Sequence, residues 1–568
     1  MYKQRFFLIK ILFILIFPLI IIIRLFSIQI WQHRQFISFI EKQLTSKIVI
    51  NIPRGDILDR NNKILATSIE FASVYINSKY FLEGIQKLQK FNPLLNQQNL
   101  SLISSSFSIS EKELITKCIK YKRFCLSKDV DLSVAFKLKD IPGIEIETYL
   151  KRIYPYSPIE SYVVGRINHK QEGYSGIEYE YNNLLSNLKR KEITIYKSGT
   201  LQKNDIRLVN IKEVSNFINE QKNYSIILTI DIELQNKINN ILKKYYDIYS
   251  PNLAICIIQK SDTGELLTIS ILPHTQTPLI NPAVNYVYEP GSVFKIFPMA
   301  VFLEEQVVSP QDKINCENGK FDYSGVNITD VKPHKFLTVE DIIVFSSNIG
   351  MAKLFLKYGN LKKFLDYLSL FGFGSPTGIE LPQEARGFLP SYEKCQPNTP
   401  LYISFGQGFA ATPIQIVNAY TMIANNGVLL QPFIVKAILA KDKVVYSAEK
   451  QTIRKVISEN TANMIKEMLY QTVERGTAQK TKIDGIKICA KTGTAQKFDR
   501  ELQKYSPTKF FMSCCGFFPK EQPQFTIGVF VDEPKGVSLA SEIAVPIFKE
   551  VVLELLNYYN ETLYAKVY

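Results

Sequence analysis

The residue pattern predicts an α+β protein carried on a single N-terminal membrane-spanning helix, with a mixed α/β module ahead of the main domain. Three observations predict it. An apolar run from Phe6 to Ile23 is broken only by Lys10 and Pro18. Short β-like runs alternate with lysine-rich helical stretches up to about residue 223. Beyond that point a hairpin (253–258 and 266–271) is answered far downstream by strands at 485–490, 510–518 and 525–531. The outcome is a five-stranded antiparallel sheet whose first hairpin and last three strands are separated by a long helical insert.

Taken in order, the apolar run of eighteen residues covers roughly 27 Å as a helix, close to the hydrocarbon thickness of a bilayer. It extends through Arg24 to Trp31, an aromatic suited to the interface. Lys3 and Arg5 precede it, so the positive-inside rule leaves residues 1–5 as a cytoplasmic tail and puts the chain after about residue 32 outside. The bulky Phe26-Ser27-Ile28-Gln29-Ile30 lacks the small-x-small pattern of a signal-peptidase site, so 6–31 reads as an uncleaved anchor. Residues 32–223 read as a non-catalytic module. Within it, Arg54-Gly55-Asp56-Ile57-Leu58-Asp59-Arg60 crowds two arginines and two aspartates into seven residues, the pattern of an ion-pair network at a domain junction. At Tyr224 the composition shifts, and 224–568 reads as the main domain, closed by a helix over 544–558.

Composition sets further bounds. At 568 residues the chain exceeds one core, so two or three domains are expected. The net charge of +15 comes without any helix-turn-helix, zinc-finger or RNA-binding signature, which argues against nucleic acid as a partner. Eight scattered cysteines lack C-x-x-C spacing and read mostly as small core residues, while pairing of Cys118 with Cys125 stays open. The four histidines, His33, His169, His274 and His334, show no metal-ligand spacing.

Chemistry concentrates at Glu289-Pro290-Gly291-Ser292-Val293-Phe294-Lys295. Pro290-Gly291 makes a turn and the apolar residues from Val293 onward read as a buried helix, with Pro298 expected to bend it. Ser292 then starts the helix and Lys295 sits one turn on, where a desolvated lysine amine can take the serine proton. The helix dipole favours the negative charge that develops there. The same S-x-x-K spacing recurs at Ser186/Lys189, Ser391/Lys394 and Ser447/Lys450, so the motif alone decides nothing. Two further elements come after it in order. Ser346-Ser347-Asn348 lies between a helix over 338–345 and another from about Ile349, and a strand over 485–490 runs into Lys491-Thr492-Gly493-Thr494. Lys197-Ser198-Gly199-Thr200 also fits K-[ST]-G but precedes the nucleophile, and Ser458/Asn460 lies in a polar stretch, so both are set aside.

The order S-x-x-K, S-x-N, K-T-G resembles the penicillin-binding protein and serine β-lactamase superfamily. The whole chain is similar to the class B penicillin-binding proteins, with matching elements at Arg54–Asn61, Arg152–Pro155, Gly176–Glu178, Leu228–Asp231, Ser404–Gly408 with Thr412-Pro413, and Lys491–Gln496. Asn62 stands where glycine is usual, and Ala540-Ser541 replace a common Gly-Gly. The resemblance implies a single-pass inner-membrane protein with a pedestal of dimerisation type and a periplasmic penicillin-binding, serine β-lactamase-like transpeptidase domain. Its activity would be D,D-transpeptidation of peptidoglycan stem peptides, inhibited by β-lactam antibiotics, with no cofactor and no metal.

The same resemblance implies the residue roles. Ser292 is the nucleophile, Lys295 its base, Ser346 and Asn348 the proton relay, and Lys491 a source of positive potential placed as a cleft residue outside the core. Thr492, Gly493 and Thr494 form the substrate-binding strand, with the oxyanion hole from the backbone N–H groups of Ser292 and Thr494, each worth about 3 kcal/mol by analogy with measured holes. Phe371–Gly378 looks more like the septal, cell-division type than the elongation type. With no glycosyltransferase domain of its own, the chain would work with a SEDS-type glycosyltransferase and division proteins. The rivals are an elongation-type transpeptidase, a β-lactamase or β-lactam sensor, and a silent division scaffold. A lactamase needs a deacylating base, and no E-x-x-x-N element is evident at a matching position; a sensor needs several spans and H-E-x-x-H, which the sequence lacks.

Overall fold

The computed structural model describes residues 2–32, 45–50, 53–186, 191–196, 224–274, 280–441, 443–499 and 504–565. The K-S-G-T segment at 197–200 and residue 223 of the expected boundary lie outside the described residues. Two compact units are present, and each is built from separate stretches of chain: 1–53, 71–150 and 187–222 form the first, and 54–70, 151–186 and 223–568 the second.

In the first unit the N-terminal helix runs Tyr2–Phe26 and continues as a single wide π-helical turn, Ser27–Trp31. Its segment Lys10–Ile30, with mean hydropathy 2.9, is long and apolar enough to cross a membrane and fits a single-pass anchor. Thr45–Ile50 pairs antiparallel with Lys191–Tyr196. A separate core forms where residues 72–77 pair antiparallel with 123–130 and helices Ser78–Phe91 and Glu111–Lys120 lay Phe81, Leu114 and Cys118 against Val74 and Ile76. Cys118 and Cys125 are both free thiols.

The second unit is organised on a sheet of strands β1 (Leu253–Lys260), β2 (Leu266–Leu272), β3 (Cys489–Asp499), β4 (Lys504–Phe518) and β5 (Phe525–Asp532), in the order β3-β4-β5-β1-β2 and antiparallel throughout. Both faces of β5 and all of β2 are buried, so these strands read as unbroken apolar runs and not as alternating ones. Helices α1 (Ile232–Tyr249) and α7 (Ala544–Ala565) cover one face through Leu234, Leu242, Phe548 and Val552. The insert between β2 and β3 supplies α2 (Ile296–Glu304), α3 (Val339–Val344), α4 (Asn348–Tyr358), α5 (Pro413–Ala424) and α6 (Glu459–Arg475), and buries Phe294, Phe297, Met422 and Met468 in a second cluster.

Two expected elements change in ways that matter for the site. The strand expected at 485–490 begins at Cys489, so Lys491-Thr492-Gly493 lie within it, because Lys491 pairs with Cys515 and Gly493 with Ser513 in register with β4. The residues Gly291–Lys295 form a 3₁₀ turn ahead of α2, where an α-helix was expected throughout. Pro298 lacks the N–H that would bond the Phe294 carbonyl, so regular α bonding cannot run unbroken through the start.

The crowded Arg54–Arg60 segment belongs to the second unit. Arg54 and Arg152 both pair with the fully buried carboxylate of Glu178, Arg152 at 2.7 Å. Asp59 Oδ1 accepts from the N–H groups of Asn61 and Lys63 at 2.8 Å, closing a turn in which Asn62 takes φ +64°. That left-handed position is why Asn replaces Gly there without strain.

Candidate active site

The 3₁₀ turn carries Ser292 and Lys295 three residues apart, the spacing at which 3₁₀ side chains eclipse one another. Four contacts hold it. Gly291 N–H donates to Gly406 O at 2.9 Å, and Tyr420 OH donates to Val293 O at 2.7 Å. Glu289 accepts from Gly408 N–H at 2.9 Å and from Tyr505 OH at 3.0 Å. A Cβ on Gly406 would lie 2.0 Å from Gly291 O, so only glycine lets the Ser404–Gly408 segment approach this closely. On the other side, a Cβ on Gly493 would meet Val293 at 2.9 Å and Ser513 at 2.6 Å, which sets β3 directly against the turn.

Lys295 is wholly buried, and its ammonium is drawn into the Ser346–Asn348 corner. Nζ donates to Ser346 O at 2.6 Å, to Asn348 Oδ1 at 2.7 Å and to Ser346 Oγ at 3.2 Å. Burial pushes the amine well below its ordinary range, the Lys491 charge pushes the same way, and Asp330 opposes both. The carbonyl and amide oxygens can only accept, so two N–H bonds persist once a proton leaves. The Ser346 hydroxyl can both accept and donate, so it is the contact through which a proton can pass on from the amine. Ser346 itself sits at φ +62°, a strained position for a residue with a side chain.

That corner is fixed from behind. Ser347 caps α4, its Oγ accepting from Gly350 N–H at 2.9 Å. Asn348 Nδ2 donates to Thr329 O at 3.0 Å, which settles which way the amide points. Asp330, which the motif search passes over, accepts from Ser347 Oγ, Asn348 N–H and Ile349 N–H at 2.5, 2.6 and 3.1 Å. Only proximity in space connects it to the motifs, since sixteen positions separate it from Ser346.

Lys491 is also fully buried, contrary to its expected place outside the core, and burial pushes its amine down to about 7. Its Nζ donates to Thr492 O at 3.2 Å. Thr492 and Thr494, two apart on β3, share a face. Thr492 Oγ1 donates to Thr477 Oγ1 at 2.9 Å. Thr494 Oγ1 accepts from Ala540 N–H at 3.1 Å, which leaves its own hydrogen free to donate. Ala540 therefore serves the strand through its backbone, which the Gly-to-Ala change leaves intact. An uncharged cleft of about 430 Å³ opens beside Asn348, walled by Asn327, Thr329, Tyr402, Gln496 and Tyr505.

The decoys part company with this site. Ser391 and Ser447 are exposed, at a turn and at a strand end. Ser186 Oγ donates to Asn182 O at 2.6 Å, and its Lys189 lies outside the described residues. Ser458 caps α6 and contacts Glu304.

Residues 254–553 match the family described as Penicillin binding protein transpeptidase domain, and residues 49–199 that described as Penicillin-binding Protein dimerisation domain. The chain is 30% identical over 537 residues to the Peptidoglycan D,D-transpeptidase FtsI of Buchnera aphidicola subsp. Baizongia pistaciae, covering 91% of this chain and 89% of that one. It is 27% identical over 566 residues to the Stage V sporulation protein D of Bacillus subtilis, covering 96% and 85%. Among solved structures, Penicillin Binding Protein 2X from Streptococcus thermophilus aligns with a TM-score of 0.73 at 21% identity, over 89% of this chain and 80% of that one. The aztreonam complex of Mycobacterium tuberculosis Penicillin binding protein 3 aligns at 0.66 and 22% identity, over 90% and 97%. These structural likenesses bear on the fold.

Proposed function

This chain belongs to the class B penicillin-binding proteins and is a serine D-Ala-D-Ala transpeptidase, and from that premise we propose how its residues share the reaction. Ser292 Oγ attacks the carbonyl of the penultimate D-Ala of a pentapeptide stem, and Lys295 Nζ takes the hydroxyl proton. Backbone N–H groups of Ser292 and Thr494 hold the oxyanion. Through the Ser346 hydroxyl the proton passes to the departing D-Ala nitrogen, the C–N bond breaks, and an ester to Ser292 remains. An amine from a neighbouring stem then attacks that ester, returning the proton to Ser292 Oγ by the same route. Lys491, Thr492 and Thr494 bind the terminal carboxylate, with Gly493 letting the strand lie against the nucleophile turn. A β-lactam enters as a mimic of the donor and leaves a penicilloyl ester. The observation that supports this reading best is the buried amine of Lys295 bonded to Ser346 and Asn348.

The cellular role we propose is septal, supported by the likeness to FtsI and by the Phe371–Gly378 segment. In this reading residues 1–5 stay in the cytoplasm, 6–31 anchor the chain, 32–223 act as the pedestal and 224–568 work in the periplasm. A SEDS-type glycosyltransferase supplies the glycan strands. Depletion should give filaments, and round cells would assign the protein to elongation instead.

The chemistry is tested by mapping the adduct after brief exposure to penicillin. The expected result is a penicilloyl group on Ser292, abolished by Ser292→Ala, nearly abolished by Lys295→Ala and indifferent to chelators. An adduct on another serine, or fast turnover of the drug, defeats the assignment.

A further inference from the structure

We propose that Asp330 is a positioning residue for the transpeptidase reaction, fixing through Ser347, Asn348 and Ile349 the corner that holds Lys295. The inference rests on Lys295 being the base proposed above. Among the described residues, every acceptor of Lys295 Nζ comes from residues 346 and 348. Asp330 grips the chain immediately after Ser346, with Oδ2 on Ser347 and Oδ1 on the N–H groups of Asn348 and Ile349. Its neighbour Thr329 holds the Asn348 amide by its nitrogen. Asn348 is therefore fixed by backbone and side chain at once, and the left-handed Ser346 is kept in place by the anchored residues 347–349 on its C-terminal side.

The carboxylate acts on the amine a second way. The charged groups that bear on Lys295 are Lys491 from β3, which disfavours its ammonium, and Asp330, which favours it. Cys316 lies near Asp330 and, in turn, near Lys353, which is paired with Glu317 at 2.6 Å. Without the Asp330 charge the Lys295 proton is lost at a lower pH, so the acidic limb of the acylation profile moves to lower pH.

Two variants of the full-length protein in detergent separate these effects, read as acylation rate against pH with a chromogenic cephalosporin. Asp330→Asn keeps the shape and the acceptors for Asn348 and Ile349 but removes the charge, so the acidic limb should shift to lower pH with a modest fall in the maximum. Asp330→Ala removes the grip as well and should lower the maximal rate by about a hundredfold, the scale of a misplaced reacting group. Should Asp330→Asn fail to fold, Asp330→Glu keeps the charge but displaces it, and should lower the maximum with the limb unmoved. Unaltered acylation in Asp330→Ala or in Asp330→Glu, or an unmoved limb in Asp330→Asn, overturns the proposal. Wild-type protein that is not acylated at Ser292 would instead fail the reading it rests on.

Discussion

Lys295 and Lys491 are completely buried, and among the described residues no carboxylate bonds to either; burial lowers the hold of each on its proton, and the Lys491 charge lowers that of Lys295 further. Their tasks are opposite. In the roles proposed above, Lys295 must be neutral to act as a base, whereas Lys491 must be charged to attract a carboxylate. With the Lys491 amine down at about 7, its ammonium is lost as pH rises through neutrality. Acylation of the free enzyme by a carboxylate-bearing β-lactam should therefore decline above about pH 7. In Lys491→Met that alkaline limb should flatten at a lower plateau, and an alkaline limb that persists would assign it to another group. Stability carries the same signature with a definite sign. A lysine whose folded value lies below its unfolded one penalises folding below about pH 7, and the penalty is relieved as pH rises toward 10.5. Lys491→Met should thus raise the melting temperature most below pH 7 and hardly at all near pH 10. A uniform change would rule that out.

At the scale of elements, the nucleophile turn is short and irregular, and its geometry is imposed by its neighbours. The Ser404–Gly408 segment, α5 and β3 all close on it, through Gly406, Tyr420 and Gly493. Tyr420 is fully buried, and its hydroxyl is a donor to the Val293 carbonyl one residue beyond the nucleophile. Tyr420→Phe should cost about 1–3 kcal/mol, the usual penalty for a buried group left without its partner. It should also slow acylation, because the turn loses a support on the far side of Ser292. Denaturant melts with acylation rates check both, and a variant equal to wild type in each would mean the contact is dispensable.

For the molecule as a whole, the anchor is separable from the chemistry. Lys10–Ile30 exposes its apolar side chains along its length, and the residues named for catalysis all lie in the second unit. Deleting residues 1–31 should release a soluble protein that still takes a penicilloyl group on Ser292. Sedimentation of that protein with membranes would point to a second attachment. The intact protein should retain its N-terminus, and a mature chain starting beyond residue 30 would contradict an uncleaved anchor.

Local features of the chain were enough for much of this. The apolar run at 6–23, the hairpin at 253–271 and the order of Ser292/Lys295, Ser346/Asn348 and Lys491–Gly493 are written in neighbouring residues. Periodicity and motif spacing therefore reveal them. Features that depend on residues far apart were not legible. Arg54 and Arg152 meet on Glu178 from stretches separated by about a hundred positions, so the second unit draws in 54–70 and 151–186 although they precede residue 224. The register of β3 on β4 placed Lys491 inside a strand, and Pro298 together with the crowding at Gly406 turned the start of α2 into a 3₁₀ turn. Asp330 has no motif to mark it. Which groups are candidates to carry the chemistry was a matter of sequence, while their burial, and with it the pH at which each lysine holds its proton, was decided by packing, because desolvation depends on everything that surrounds a charge and not on its neighbours along the chain.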